Sequence, residues 1–568
     1  MKLSILCCIS LGILSIALKL KPALSAEKVY IIHGPLNLSL SIDSLQIFAE
    51  TGKVNSELKF YAGFAGDKAM AQLRKVLQIR SNLPPKLISQ LTYAPMSEEF
   101  LQRLGRIVQT ESGLNGFHAI RAAWILSASR SQSYTLIDIL RNYPTHGIRI
   151  DSANIGKLQK LLLTLVNYRN AAIAAIAQQE RAEAVSQSKM DFSQLSNPLK
   201  LGAFRVTQRT LELKRFTPAI ARGQILRRFQ VKLYIPTGTS QPVPVVTISH
   251  GMGSTPIGFG YLGEHLASHG FAVAIPEHIG SGEAMKKALL AGLTNTNVDP
   301  TDFIERPKDI KQTLDELERL SQSDPALKGR LNVQNVGIIG HSFGGYTALA
   351  AAGARLNTAR IHRDCGSDKL RTNLSIYLQC LSQRLPATDG RLGDARIKAV
   401  ISINPLTSIV FGPEGLGEIE IPTMLISASN DILTSPVPEQ IHPFLWLKTR
   451  AKYLALMVKA GHTAADRGNG GEQNLSLTST DILFGGPDAE LVREYIRSLS
   501  LAFMQTYVGN RTEYRKYLSA SYVNSMSQEP IGLDLVRSLT SIQLQQAYGS
   551  APPDAFFPIP VTVSPTNK

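Results

Sequence analysis

The chain has 568 residues, 44% hydrophobic and 18% charged, and a net charge of +16. That length exceeds one ordinary core and implies two or three domains; the composition excludes a disordered or collagen-like chain. The basic residues are scattered, with no long basic run; the plain reading is a solvated surface, and beyond that the pattern favours weak attraction to anionic surfaces such as lipid head groups over a nucleic-acid partner.

The N-terminus reads as an address. Lys2 precedes the apolar run Leu3 to Leu18, and Ala23-Leu24-Ser25-Ala26 ends in a small residue suited to cleavage after Ala26. Residues 1–26 are therefore expected to be a signal peptide, and the mature chain to be exported, periplasmic or extracellular. Lys19 and Lys21 near the cleavage region leave an uncleaved anchor as the alternative. After this segment no stretch is long and apolar enough to span a bilayer. Cys7 and Cys8 lie within the leader, so the mature chain keeps Cys365 and Cys380. Export makes these two a disulfide candidate; in a reducing compartment they would be two buried thiols.

Residues 27–185 predict a smaller all-α domain. It opens with the short β-like run Val29-Tyr30-Ile31-Ile32, stopped by Gly34-Pro35, and Asp43, Ser56, Asp67 and Ser97 stand where helix N-caps would. Phe100, Leu101, Leu104, Ile107 and Val108 recur at helical spacing, and Ala119 to Ala128 is apolar nearly all round. Ile155 to about Ala184 predicts one long helix. The polar stretch Ser186 to Asn197, ended by Pro198, reads as the linker to the next domain.

From about residue 200 the period changes. Val206 to Leu213 and Phe229 to Ile235 alternate as an antiparallel strand pair. Val243 to Ser249 is a buried strand running into His250-Gly251-Met252-Gly253. A helix from Gly260 to His269 and a strand from Phe271 to Pro276 follow, the rhythm of a parallel sheet with crossover helices. The amphipathic helix Asp302 to Leu320 leads to Val336-Gly337-Ile338-Ile339-Gly340-His341-Ser342-Phe343-Gly344-Gly345, which predicts strand, tight turn and small-residue helix with Ser342 at the apex. A serine on such a turn needs neighbours without a Cβ, supplied by Gly340 and Gly344. Leu356 to Arg396 has little periodicity and is expected to be a cap insertion. Strands resume at Ala399 to Ile403, Thr423 to Ser427 and Tyr453 to Val458. The fold class is thus α/β, a mostly parallel sheet with helices on both faces over residues 200–510. Residues 511–568 are read as C-terminal helices and a Pro-rich tail.

A serine nucleophile needs an oriented base, and this architecture orders the relay as serine, acid, histidine. Asp431 follows the strand ending at Ser427, and His462 follows the strand ending at Val458, both at strand C-terminal ends, where open α/β sheets place their sites. His442, Asp389 and Asp394 are the rivals; His442 has no strand before it, and the two acids lie in the insertion. The H-G-x-G turn and the residue after the nucleophile assign the oxyanion-hole N–H donors to Met252 and Phe343, with His250 as a turn-stabilising side chain. The chemistry requires no metal and no organic cofactor.

Ile248-Ser249-His250-Gly251-Met252-Gly253, Leu266-Ala267-Ser268-His269-Gly270-Phe271, Pro276-Glu277-His278 and Gly340-His341-Ser342-Phe343-Gly344-Gly345 resemble the platelet-activating-factor acetylhydrolase group of α/β-hydrolases. The resemblance covers about residues 205–465 and implies hydrolysis of ester-linked acyl chains on phospholipids or other lipids. Residues from about Glu27 to Asp151 resemble the uncharacterised helical domain that precedes such a hydrolase in cyanobacterial proteins. One position departs: in the eukaryotic members the acid lies one strand earlier, where this chain has Asn404. Asp431 instead resembles the acid of bacterial dienelactone-hydrolase-like enzymes. The expectation is an exported serine hydrolase of lipid or phospholipid esters. A peptidase on the same fold and a non-catalytic binding protein are the competing readings.

Overall fold

The computed structural model describes residues 25–551 and 553, apart from 34–35, 188–191, 193–194, 219–223, 295, 297, 367–372, 386–388 and 469–483. The expected leader up to residue 24 and nearly all of the Pro-rich tail lie outside the described residues. The chain divides into two compact units, one ending at Gln159 and the other beginning at Lys160. Among the described residues no helix is long and apolar enough to cross a membrane.

The first unit is not all-α. It pairs β1 (Lys28–His33) antiparallel with β2 (Leu36–Ser41) and parallel with β4 (Gly147–Asp151), while β3 (Val108–Thr110) runs antiparallel to β4. This sheet is hard to read locally: β3 has three residues, too few to show alternation, and β4 finds its partner at the far end of the unit. Around the sheet lie α1 (Ile42–Thr51), α2 (Ser56–Gln78), α3 (Pro85–Tyr93), α4 (Pro95–Leu104), α5 (Phe117–Arg130) and α6 (Leu136–Arg141). Ile42, Phe48, Leu58, Leu77, Ala123 and Ile148 form their shared core. The caps differ from those expected. Ser41 Oγ accepts the Ser44 N–H and Asn55 Oδ1 accepts the Leu58 N–H. Asp43 and Ser97 lie inside α1 and α4, Ser56 opens α2 after the Asn55 cap, and Asp67 follows a kink at Gly66.

The long helix α7 (Ser152–Ser186) does not end the first unit; the division falls within it. Its later turns belong to the second unit: Tyr168 hydrogen-bonds His442, and the Glu183 carboxylate accepts the N–H groups of Arg537 and Ser538. An unbroken helical period carries no mark of such a division, so the boundary expected at 186–197 moves back.

The second unit holds a nine-stranded sheet in the order β13-β12-β11-β10-β9-β7-β8-β6-β5. Its strands are β5 (Arg205–Pro218), β6 (Gln224–Thr237), β7 (Val243–Ser249), β8 (Ala272–Pro276), β9 (Leu331–His341), β10 (Ile397–Ile403), β11 (Thr423–Ala428), β12 (Lys452–Val458) and β13 (Gly532–Val536). The six from β8 to β12 run parallel, and the flanking β6, β5 and β13 are antiparallel. The inner strands are apolar on both faces because helices cover both, hence runs such as Val336 to Ile339. The chain passes from β7 to β8 on one side, then returns to β9 on the other. This reversal opens a crevice at the carboxyl ends of β7 and β9. The C-terminal segment is no appendage: Gly532–Val536 closes the sheet beside β12, and Ile531, Leu533 and Leu535 join the main core.

The insertion after the elbow helix carries α8 (Thr358–Cys365) and α9 (Ser375–Gln379), joined by a disulfide between Cys365 and Cys380. Gln379 Oε1 accepts the N–H groups of Ile409 and Val410. The buried Glu439 carboxylate accepts from Ser375, Gln379, Ser408 and the Thr407 and Ser408 N–H groups. These bonds fix the insertion to the segment that follows β10.

Candidate active site

The nucleophile turn is built by close approach. A Cβ at Gly340 would stand 1.9 Å from the Gly344 carbonyl oxygen, and one at Gly344 would stand 2.0 Å from the Ser249 carbonyl oxygen. Neither position tolerates any other residue without displacing backbone. Ser342 itself takes φ 56°, ψ −120°, a conformation costing an L residue roughly 1–3 kcal/mol. Its N–H bonds the Ile403 carbonyl at 2.9 Å, and the elbow helix Phe343–Ala351 begins at once.

His462 follows β12 and places Nε2 2.9 Å from Ser342 Oγ. Its Nδ1 lies 2.6 Å from Asp431 Oδ2. The acceptor carboxylate puts the proton on Nδ1, so Nε2 presents a lone pair to the serine hydroxyl. Asp431 is itself held: Oδ1 accepts the N–H groups of Leu433 and Thr434, each at 2.8 Å, and Oδ2 accepts the Thr434 hydroxyl at 2.7 Å. Ser342 is 8% exposed and His462 5%, so these side chains lie largely out of bulk water. The His341 ring lies beside that of His462 and donates Nε2–H to the His462 carbonyl at 2.9 Å. Burial, with His462 as neighbour, lowers its pKa to about 4, so it stays neutral.

On the other side of Ser342 lies the turn after β7. A Cβ at Gly251 would stand 3.4 Å from Ser342 Cβ, which places the Gly251–Met252 peptide against the nucleophile. Gly253 bonds back to the Ser281 carbonyl at 2.7 Å, tightening the turn. The Phe343 N–H belongs to the first turn of the elbow helix, where no intrahelical acceptor exists. Among the described residues no hydrogen bond takes either the Met252 or the Phe343 N–H.

The rivals lie elsewhere. His442 is half-buried and hydrogen-bonds Tyr168, and desolvation lowers its pKa to about 4. Asp389 is exposed, and Asp394 pairs with Arg396. Asn404, where an acid one strand earlier would stand, turns its amide oxygen to the Ala428 N–H at 2.8 Å and its amide nitrogen to the His462 carbonyl at 3.4 Å. It therefore supports the histidine's backbone.

Sequence reasoning overlooked the supports. Thr434 is one; the only local signal for it is an Asp-led turn, in which the side chain bonds N–H groups two and three residues on. Beneath the β7 turn lies a second serine–histidine–aspartate chain. Ser249 Oγ is 2.9 Å from His278 Nε2, and His278 Nδ1 is 3.1 Å from Asp309 Oδ2. All three are fully buried or nearly so, which denies them substrate. Burial, aided by Arg306 and Arg227, holds the His278 pKa well below the ordinary histidine value, so the imidazole stays neutral and the chain braces the end of β7.

The model of a family described as alpha/beta hydrolase of unknown function (DUF1400) matches residues 25–151, which lie in the first unit and outside the nine-stranded sheet. Platelet-activating factor acetylhydrolase of Cavia porcellus is 25% identical over 306 residues, 48% of this chain and 59% of that protein. The alignment therefore spans less than two thirds of the relative. With the parallel sheet, the switch point and the serine turn, these comparisons agree that the chain has the α/β-hydrolase fold and is similar to the platelet-activating-factor acetylhydrolase group.

Proposed function

We propose that this protein is an exported serine carboxylic-ester hydrolase that cleaves acyl esters of lipid or phospholipid type through an acyl-enzyme. The observation that carries the reading is the unbroken contact from Asp431 through His462 to Ser342, at 2.6 and 2.9 Å, beside two N–H groups free to bind an oxyanion. Ser342 Oγ attacks the acyl carbon as its proton passes to His462 Nε2. The carbonyl oxygen becomes an oxyanion held by the Met252 and Phe343 N–H groups, each such donor contributing about 3 kcal/mol in the transition state. The imidazolium returns the proton to the leaving alcohol, and water repeats the sequence on the acyl-serine. Asp431 fixes the tautomer and balances the imidazolium charge. The leader pattern and the Cys365–Cys380 bridge support export. The named activity of the Cavia porcellus relative and the scattered basic charge favour a substrate at a lipid surface.

The test is turnover of a p-nitrophenyl ester series graded by acyl length. Ser342→Ala is expected to fall to background and His462→Ala by roughly 10⁴-fold or more. Undiminished turnover by purified Ser342→Ala protein would reject the reading, and cleavage of aminoacyl amides without ester turnover would redirect it to peptide bonds.

A further inference from the structure

We infer that Arg306 is the positioning residue of the Met252 oxyanion donor, an inference that rests on the ester-hydrolase reading above. Arg306 lies on the helix Asp302–Ser323 and is fully buried. Its Nη1 donates to the His250 carbonyl at 2.9 Å, its Nη2 to the Gly251 carbonyl at 3.4 Å, and its Nε to Ser281 Oγ at 2.8 Å. Its guanidinium carbon stands 4.5 Å from the centre of the Phe343 ring. One cation thus holds the backbone beside the Met252 N–H and packs on the side chain of the residue that carries the other free N–H.

The geometry follows from the planar trans peptide. The Gly251 carbonyl and the Met252 N–H belong to one peptide unit and point in opposite directions. A donor that seizes the carbonyl therefore aims the N–H away from itself. His250 Nδ1–H adds a second bond to the same carbonyl at 2.8 Å, while His250 Nε2 accepts the His278 N–H at 3.1 Å. Burial, with His278 and Arg306 as neighbours, keeps His250 neutral, as these two opposite roles require. A charged donor on a carbonyl also polarises its peptide and strengthens the N–H as a donor. The same guanidinium also packs on the face of the Phe343 ring, beside the second donor.

Stability alone does not account for a fully buried arginine. Replacing such a group and its partners with apolar residues of similar volume is often neutral or stabilising. The surroundings are organised to keep the cation where it is. Asp302, 3.8 Å from Nε, also binds Arg227 at 3.0 Å and accepts from Ser281 Oγ at 2.5 Å. Asp309 is shared between Arg215 and His278, which braces Ser249 one residue before the turn. The assembly holds a peptide in one orientation without touching substrate.

The experiment compares Arg306→Met and Arg306→Lys with the unaltered full chain. It reads kcat and KM on p-nitrophenyl butyrate and the affinity for a trifluoromethyl ketone, which forms a hemiketal oxyanion on the serine. Arg306→Met is expected to lose roughly 10²-fold in kcat, with KM within about threefold and ketone affinity falling in step with kcat. Arg306→Lys should recover part of both. Loss of turnover with ketone affinity intact, or no loss at all, would overturn the inference. If the Arg306 variants do not fold, Ser281→Ala, which frees the guanidinium Nε, must show a smaller parallel loss of kcat and ketone affinity; no parallel loss overturns the inference. Absence of both turnover and ketone binding in the unaltered chain would instead sink the hydrolase reading, so the two failures are distinct.

Discussion

Asp431→Asn should be more damaging than Asp431→Ala. In the native site Oδ1 accepts two backbone N–H groups at 2.8 Å, and Oδ2 accepts the His462 Nδ1–H at 2.6 Å. An amide has one oxygen and one NH2. Two fixed N–H donors claim the oxygen, so the NH2 is turned toward His462. It then donates to Nδ1, and the ring must carry its proton on Nε2, facing the Ser342 hydroxyl. The base is lost while the packing is kept. A tautomer fault of this kind costs about 10⁴-fold in kcat, or about 5 kcal/mol of barrier. Alanine leaves the ring free to adopt either tautomer and should retain more activity. The assay is steady-state hydrolysis of p-nitrophenyl acetate by the two variants at matched active-site concentration. Turnover of Asp431→Asn within about tenfold of the unaltered chain, or above that of Asp431→Ala, would refute the reasoning.

Gly344→Ala places a methyl group 2.0 Å from the Ser249 carbonyl oxygen, so thermal denaturation should show a loss of at least about 1–3 kcal/mol together with loss of turnover. Glu180 is buried with Oε1 unpartnered, and burial, with Asp534 nearby, raises its pKa to about 7. A carboxyl whose folded pKa is raised gives stability that is complete below its ordinary value near 4.5 and is lost as pH rises through about 7. Glu180→Gln, which stays neutral, should therefore raise the unfolding free energy from denaturant titration by up to about 3 kcal/mol at pH 8 and leave it nearly unchanged at pH 4; an equal effect at both would contradict this. Cys365→Ser opens a bridge of sequence separation 15 and should lower stability by about 3 kcal/mol, read by denaturant unfolding beside the Cys380→Ser variant, which should match it.

The parts of the site legible in the sequence are those whose geometry is local. The turn at Ser342 needs glycines two residues either side, and Gly340 and Gly344 announce it. Asp431 and His462 each sit just past an apolar strand, and the structure brings them within hydrogen-bond distance of each other and of Ser342. What could not be read is what depends on distant partners. Arg306 lies in an ordinary helical pattern, and nothing in its neighbours on the chain foretells the His250 and Gly251 carbonyls. The sheet of the first unit is hidden for the same reason: Lys28 pairs with Gly147, and only the hairpin start near Val29 has a local signature. The division inside Ser152–Ser186 is silent because both sides keep one helical period.

The central claim is that the Ser342 hydroxyl is activated by His462. Intact and peptide mass spectrometry after a short exposure to a fluorophosphonate tests it most directly. One adduct per chain is expected, on Ser342, absent from Ser342→Ala and formed far more slowly by His462→Ala. No adduct on Ser342, or one formed equally fast without His462, would contradict it.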